Sequence, residues 1–178
     1  MVRIRLLLGI TLLVSSSLLL SANVSAAAPE LRAVYAGHSI PLLQVSTLHC
    51  HDGAYPIIRC FATEAEATAD ANRIIGRAPG IGLGTGGQAS IQATFYVTFY
   101  QDENYGGASW STTGAISDLS QIGWNDAITS FKSLNGGHPK WWTDSNYSAA
   151  SAQWAAGAWV ANIGSNWNDQ FSSVKNVP

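Results

Sequence analysis

Charge is scarce in this 178-residue chain, where Asp, Glu, Lys and Arg together make up 11%. Lysine is confined to Lys132, Lys140 and Lys175. No basic stripe forms anywhere, which excludes a nucleic-acid surface. Beyond the first twenty or so residues there is no long apolar run, so no second candidate membrane span exists. Histidine is limited to His38, His49, His51 and His138. No G-x-S-x-G elbow or comparable nucleophile context accompanies them. A carboxylate pair suited to glycoside hydrolysis is equally hard to assemble. The chain is therefore expected to be non-enzymatic.

What is present begins with a targeting pattern. Arg3 and Arg5 precede an apolar run over residues 6–20, and Ser21, Ala22, Val24, Ser25 and Ala26 then supply small residues for cleavage. Residues 1–27 read as a signal peptide, with an uncleaved anchor as the alternative; after cleavage the mature protein is expected to be secreted, extracellular and free of any membrane. Losing the two arginines takes the formal charge from −2 to −4. About 150 residues remain, enough for one ordinary domain or two small ones.

Cys50 and Cys60 are the only cysteines. In an exported chain they are expected to form a disulfide across a hairpin turning around Asp52 and Gly53. A metal site adding His49 and His51 is the rival, but its spacing fits no common zinc pattern. Residues 28–77 read as a small disulfide-stapled strand–helix module: extended pieces at 33–35 and 41–45, a strand at 57–61 and a helix at 63–75. Thr63 and Glu66 supply a capping box, and Gly76 a C-terminal stop. Ala65, Ala69, Ile74 and Ile75 are expected on the helix's buried face. This module has three open readings: a pro-segment, a small binding module, or a packing partner for the second half. Residues 78–90 form a Gly-rich linker. It contains G-x-G-x-x-G at 82–87, but the pattern leaves a helix and enters a strand, the reverse of a dinucleotide site.

All seven tryptophans fall in residues 91–178. Short apolar runs there alternate with Gly, Asn, Asp and Ser, as in a compact antiparallel β domain. Two segments 43 residues apart both read W-N-D-x-x-(S/T)-S: Trp124, Asn125, Asp126, Thr129 and Ser130, then Trp167, Asn168, Asp169, Ser172 and Ser173. Each lies behind an aromatic-x4-aromatic-x-small pattern, Tyr100, Tyr105 and Gly107 in the first repeat (about 94–135), Trp142, Tyr147 and Ala149 in the second (138–178). The half is thus an internal duplication. Carboxylates at Asp126 and Asp169 with hydroxyls at Thr129 and Ser172 form two clusters of oxygen donors, the ligand type a hard cation takes.

At these residues the chain resembles the βγ-crystallin family, in particular its microbial calcium-binding members. The resemblance implies an all-β, double Greek-key β-sandwich of eight short strands, and two Ca2+ sites. It implies that Ala127 and Gln170 contribute carbonyls and that Glu103 and Ser145 contribute a carbonyl from the hairpin of the other repeat. Ser130 and Ser173 are implied to be structural serines that cover the hairpins. Asn125 and Asn168 are expected to hold the loops through side-chain-to-backbone bonds. The second hairpin has Ala149 where the first has Gly107, and distortion is expected there. With one carboxylate per ion, the expected dissociation constants are on the order of micromolar to submillimolar. The chain is read as a secreted calcium-binding protein stabilised by its ions. Two other readings are kept: an exported protease inhibitor or antimicrobial toxin-like protein on the same fold, and a carbohydrate-binding module. Calcium is the expected ligand; an extracellular protein or glycan is a further candidate partner. Trp141, Trp154 and Trp159 are the tryptophans to test for exposure to a glycan.

Overall fold

Alternation of inward and outward side chains builds both sheets of the second half. In the computed structural model, which describes residues 30–76 and 95–178, the expected signal peptide and Gly-rich linker lie outside the described residues. The first half contributes β1 (Arg32–Tyr35), β2 (His38–Ile40), β3 (His49–Ala54), β4 (Ile57–Phe61) and α1 (Glu64–Gly76). The second contributes β5 (Val97–Tyr100), β6 (Ser109–Thr112), β7 (Ser130–Ser133), β8 (Pro139–Asp144), β9 (Ser148–Gln153), β10 (Trp159–Val160) and β11 (Ser173–Asn176).

The first sheet runs β10-β7-β5-β6-β3-β4-β1-β2, and the second runs β11-β8-β9. Ile116 of the first repeat bridges to Val174 of β11, while β10 of the second repeat pairs with β7. Each repeat thus lends one strand or bridge to its sister's sheet, the strand exchange of a double Greek key. Inward-facing residues of the two sheets meet in one core. Phe99, Phe131, Trp141, Phe171 and Trp124 are all fully buried. Trp141 contacts Phe99, Phe131 and Phe171 at ring separations of 5.5–5.6 Å. Each such side chain contributes about 1.5–3 kcal/mol through burial. Trp141, one of the tryptophans to test for exposure, is core because its strand parity is opposite to that of Trp142.

The first half continues the first sheet. β3 lies parallel to β6, pairing Cys50 with Trp110, and so covers the edge that β6 would otherwise expose. Thr112 Oγ1 and the Thr113 N–H donate to Asp52 at 2.6 and 2.8 Å. These bonds keep Asp52 in the sheet, so the β3–β4 turn falls at Tyr55 and Pro56 rather than around Asp52 and Gly53, where a bulge sits instead. Cys50 and Cys60, directly opposite in that ladder, form the disulfide. The stretch expected to extend over 41–45 is instead a 3-10 helix, Leu42–Thr47. The Ser46 and Thr47 hydroxyls donate to carbonyls three residues back and favour the tight turn.

Helix α1 starts with the capping box: the Thr63 N–H donates to Glu66 Oε2 at 3.1 Å and the Glu66 N–H to Thr63 Oγ1 at 3.3 Å. Among its described side chains the buried ones are Ala67, Asp70 and Ala71, whereas Ala65 and Ala69 face solvent. In a helix this rich in alanine, apolar contrast cannot set the rotation, and Asp70 sets it. Its carboxylate accepts from His51 Nε2 at 3.2 Å, Arg59 Nε at 2.7 Å and Arg73 Nη1 at 3.1 Å. Burial, only partly opposed by Asp70, holds the His51 imidazole below its usual pKa.

Candidate metal centre

Each repeat turns its first two strands through a folded hairpin. In the first, Asn104, Tyr105 and Gly107 take φ of 55°, 64° and 70°. In the second, Asn146, Tyr147 and Ala149 take 57°, 60° and 62°. Ser130 Oγ donates to the Asp102 carbonyl at 2.6 Å and accepts from the Tyr105 N–H at 3.1 Å. Ser173 Oγ does the same with Asp144 (2.7 Å) and Tyr147 (3.1 Å). The ring pairs Tyr100–Tyr105 and Trp142–Tyr147 stand 5.6 and 5.4 Å apart. The distortion expected at Ala149 does not occur. The serine bonds and the aromatic pair hold the turn, and the residue bears a left-handed conformation that costs roughly 1–2 kcal/mol.

The two oxygen-rich loops face each other. The Asp126 N–H donates to the Phe171 carbonyl at 3.1 Å, and the Asp169 N–H to the Ile128 carbonyl at 3.3 Å. Both aspartates sit at positive φ, 52° and 53°. Asn125 Nδ2 and Asn168 Nδ2 donate to the carboxylates of Asp126 and Asp169, each at 2.7 Å. This corrects the expected bonding of these asparagines to backbone, since a neighbouring carboxylate is the stronger acceptor. Partial burial, and then the negative charge of Asp169, push the Asp126 carboxyl above its usual range. The reciprocal main-chain bonds place the two aspartates on facing loops.

Proximity crosses the repeats. Thr129 Oγ1 lies 3.5 Å from Asp169 Oδ1, so the hydroxyl of one element meets the carboxylate of the other. The expectation paired each hydroxyl with the carboxylate of its own element and brought the hairpin from the other repeat. In the structure the Glu103 hairpin stands beside its own repeat's Thr129 and Ser130, through the Thr129-to-Tyr100 and Ser130-to-Asp102 bonds, so the hydroxyl differs from the expectation while carboxylate and hairpin still come from different repeats. The Glu103 carboxylate accepts from Asn162 Nδ2 of the second repeat at 2.7 Å. In the mirror arrangement, Ser172 Oγ donates to the Thr143 carbonyl at 2.9 Å, and Ser145, Ser172 and Asn125 line one shallow recess. Ala127 and Gln170 lie in the two loops themselves. Crossing follows from the reciprocal bonds to Phe171 and Ile128, backbone groups that no side-chain pattern marks.

Among the described residues no group of three or more His, Cys, Asp or Glu converges. The donors gathered here are carboxylate and hydroxyl oxygens with backbone carbonyls beside them, which suits a hard cation and not a soft one. Of the tryptophans considered for a glycan, Trp159 is 65% exposed, Trp154 is partly buried and Trp141 is core.

No protein-family model matches the chain, and no curated protein matches it. Among solved structures it is similar to a βγ-crystallin domain from Clostridium beijerinckii, at 33% identity over 46% of this chain and 95% of that one (TM-score 0.41). It is similar to a βγ-crystallin from Ciona intestinalis, at 26% identity over 46% of this chain and 98% of that one (TM-score 0.41). A βγ-crystallin domain from Flavobacterium johnsoniae gives 26% identity over 46% of this chain and 93% of that one (TM-score 0.38).

Proposed function

The chain belongs to the βγ-crystallin family, and from that premise we propose that it is a secreted, non-enzymatic calcium-binding protein whose fold two Ca2+ ions stabilise. The supporting observation is the 3.5 Å approach of Thr129 Oγ1 to Asp169 Oδ1 across two loops that hydrogen-bond reciprocally. One ion is assigned to Asp169, Thr129 and the carbonyl of Glu103, the other to Asp126, Ser172 and the carbonyl of Ser145. The carbonyls of Ala127 and Gln170 complete the donor set. A bound cation supplies positive charge between carboxylates that otherwise repel, and it stabilises the fold by mass action because the unfolded chain has no such site. Secretion rests on residues 1–27 and accords with the disulfide.

Calorimetric titration of calcium is expected to give two sites with dissociation constants on the order of micromolar to submillimolar, and a melting temperature that rises with calcium. Asp126→Ala combined with Asp169→Ala abolishes both heats. The crossed assignment makes a sharper claim: Asp169→Ala and Thr129→Ala remove the same ion, and Asp126→Ala and Ser172→Ala the other. No heat and no thermal shift in the wild type would sink the proposal.

A further inference from the structure

The outward faces of the two sheets are built alike and covered differently. On the first, Lys132 lies over the rings of Tyr100 and Tyr105 at 4.9 and 4.6 Å. Glu64, at the start of α1, completes that group: it pairs with Lys132 at 3.5 Å and accepts the Tyr100 hydroxyl. On the second sheet Lys175 occupies the place of Lys132, over Trp142 and Tyr147 at 5.6 and 5.0 Å. Lys140 lies over Trp142 at 5.2 Å as well. Its counterpart in the first sheet is the neutral Thr98, which pairs with Lys132 as Lys140 pairs with Lys175.

The second face thus carries two cations directly opposite each other, an unfavourable juxtaposition. Among the described residues neither makes an ion pair. Among the described residues the strand beside them is also bare. β6, the edge strand of the first repeat, is covered by β3, whereas β9 ends the second sheet and is exposed along nearly all its length. No undescribed part of the chain can neutralise the lysines, because residues 1–29 and 77–94 contain neither aspartate nor glutamate.

We propose that Lys140, Trp142, Tyr147 and Lys175, beside the open edge of β9, form a docking surface for an acidic segment of another protein, whose carboxylate sits over the two lysines as Glu64 sits over Lys132. The first repeat shows the interaction already made in cis. A strand lies along the edge and a helix starts with a glutamate over the lysine–aromatic face. The second repeat offers both halves of that arrangement to a partner.

The test uses the full chain and, as probe, a synthetic peptide of residues 63–76, which carries Glu64 in its first turn. Titrated into isotope-labelled protein, it is expected to shift the Trp142 indole and the Lys140 and Lys175 side-chain signals in a saturable way. Lys140→Gln with Lys175→Gln, or Glu64→Gln in the peptide, weakens binding roughly tenfold or more. Native Trp141 and Phe171 chemical shifts in the variant verify that it folds. Tyr147→Leu removes one ring and keeps both charges, and it should weaken binding less. Shifts that survive loss of both lysines overturn the proposal. So does the absence of any shift, or lysine-dependent self-association without peptide binding, which assigns the surface to a second copy.

Discussion

The hairpins at 100–107 and 142–149 have nearly the same backbone, yet one closes with glycine and the other with alanine. The first is crowded: a Cβ at Gly107 would stand 2.8 Å from Asp102 Oδ2. Ala149 is exposed, so its methyl meets only torsional strain. The same contrast runs through the whole molecule. The first repeat is walled in by β3 and α1, and its edge, its lysine and its turn are all committed. The second keeps the same backbone with open surroundings, and so tolerates substitutions that the first does not. Shared architecture fixes φ and ψ, while local crowding decides which residue can occupy them.

Truncating the common core tests how far the two halves are separable. Trp141→Ala is expected to cost about 3–5 kcal/mol, and Phe99→Ala a similar amount, each in a single denaturant transition. Two separate transitions would show that the repeats unfold independently. Removing the bridge, as Cys50→Ser with Cys60→Ser, should cost about 2–3 kcal/mol, with hydrogen exchange accelerating in β3 and α1 before β8 and β11. Gly107→Ala should lose roughly 1–2 kcal/mol from backbone strain alone, and more as Asp102 is displaced. Ala149→Gly should instead gain about 0.5–1 kcal/mol. If the two swaps prove equal and opposite, crowding plays no part. The smallest effect is a pH slope confined to the walled-in half. The His51 pKa is depressed in the fold, so its contribution is complete above about 6.5 and is lost as pH falls from there toward the folded value. Thermal denaturation of the wild type should register this as a falling midpoint, and protection of α1 amides should fall before that of β11.

What the sequence disclosed had short-range or repeated marks. The Thr63–Glu66 box announced the start of α1, and two copies of Asn-Asp at a constant interval announced the Greek keys. The hairpins were legible from aromatics five residues apart, and the serines Ser130 and Ser173 from their place after the loop hydroxyls. The rest depended on groups distant in the chain. β3 meets β6 through His49 and Ser109, 60 residues apart, and parallel pairing leaves no local pattern. Adjacent tryptophans at 141 and 142 look alike until strand parity assigns one inward. Rotation of α1 was hidden because its governing residue, Asp70, is polar and its partners come from other elements. Crossing of the loops was hidden for a further reason, since the groups that enforce it are main-chain amides and carbonyls common to every residue.

The reciprocal bonds between the loops also constrain how such a chain could arise. A polypeptide with a single copy holds the hydroxyl but lacks the facing carboxylate, because Thr129 finds Asp169 only on the sister element. One copy alone could build that cluster only by pairing with an identical molecule. Fusing two copies in tandem turns a concentration-dependent encounter into a permanent intramolecular one, after which the two halves are free to diverge everywhere except at their seam.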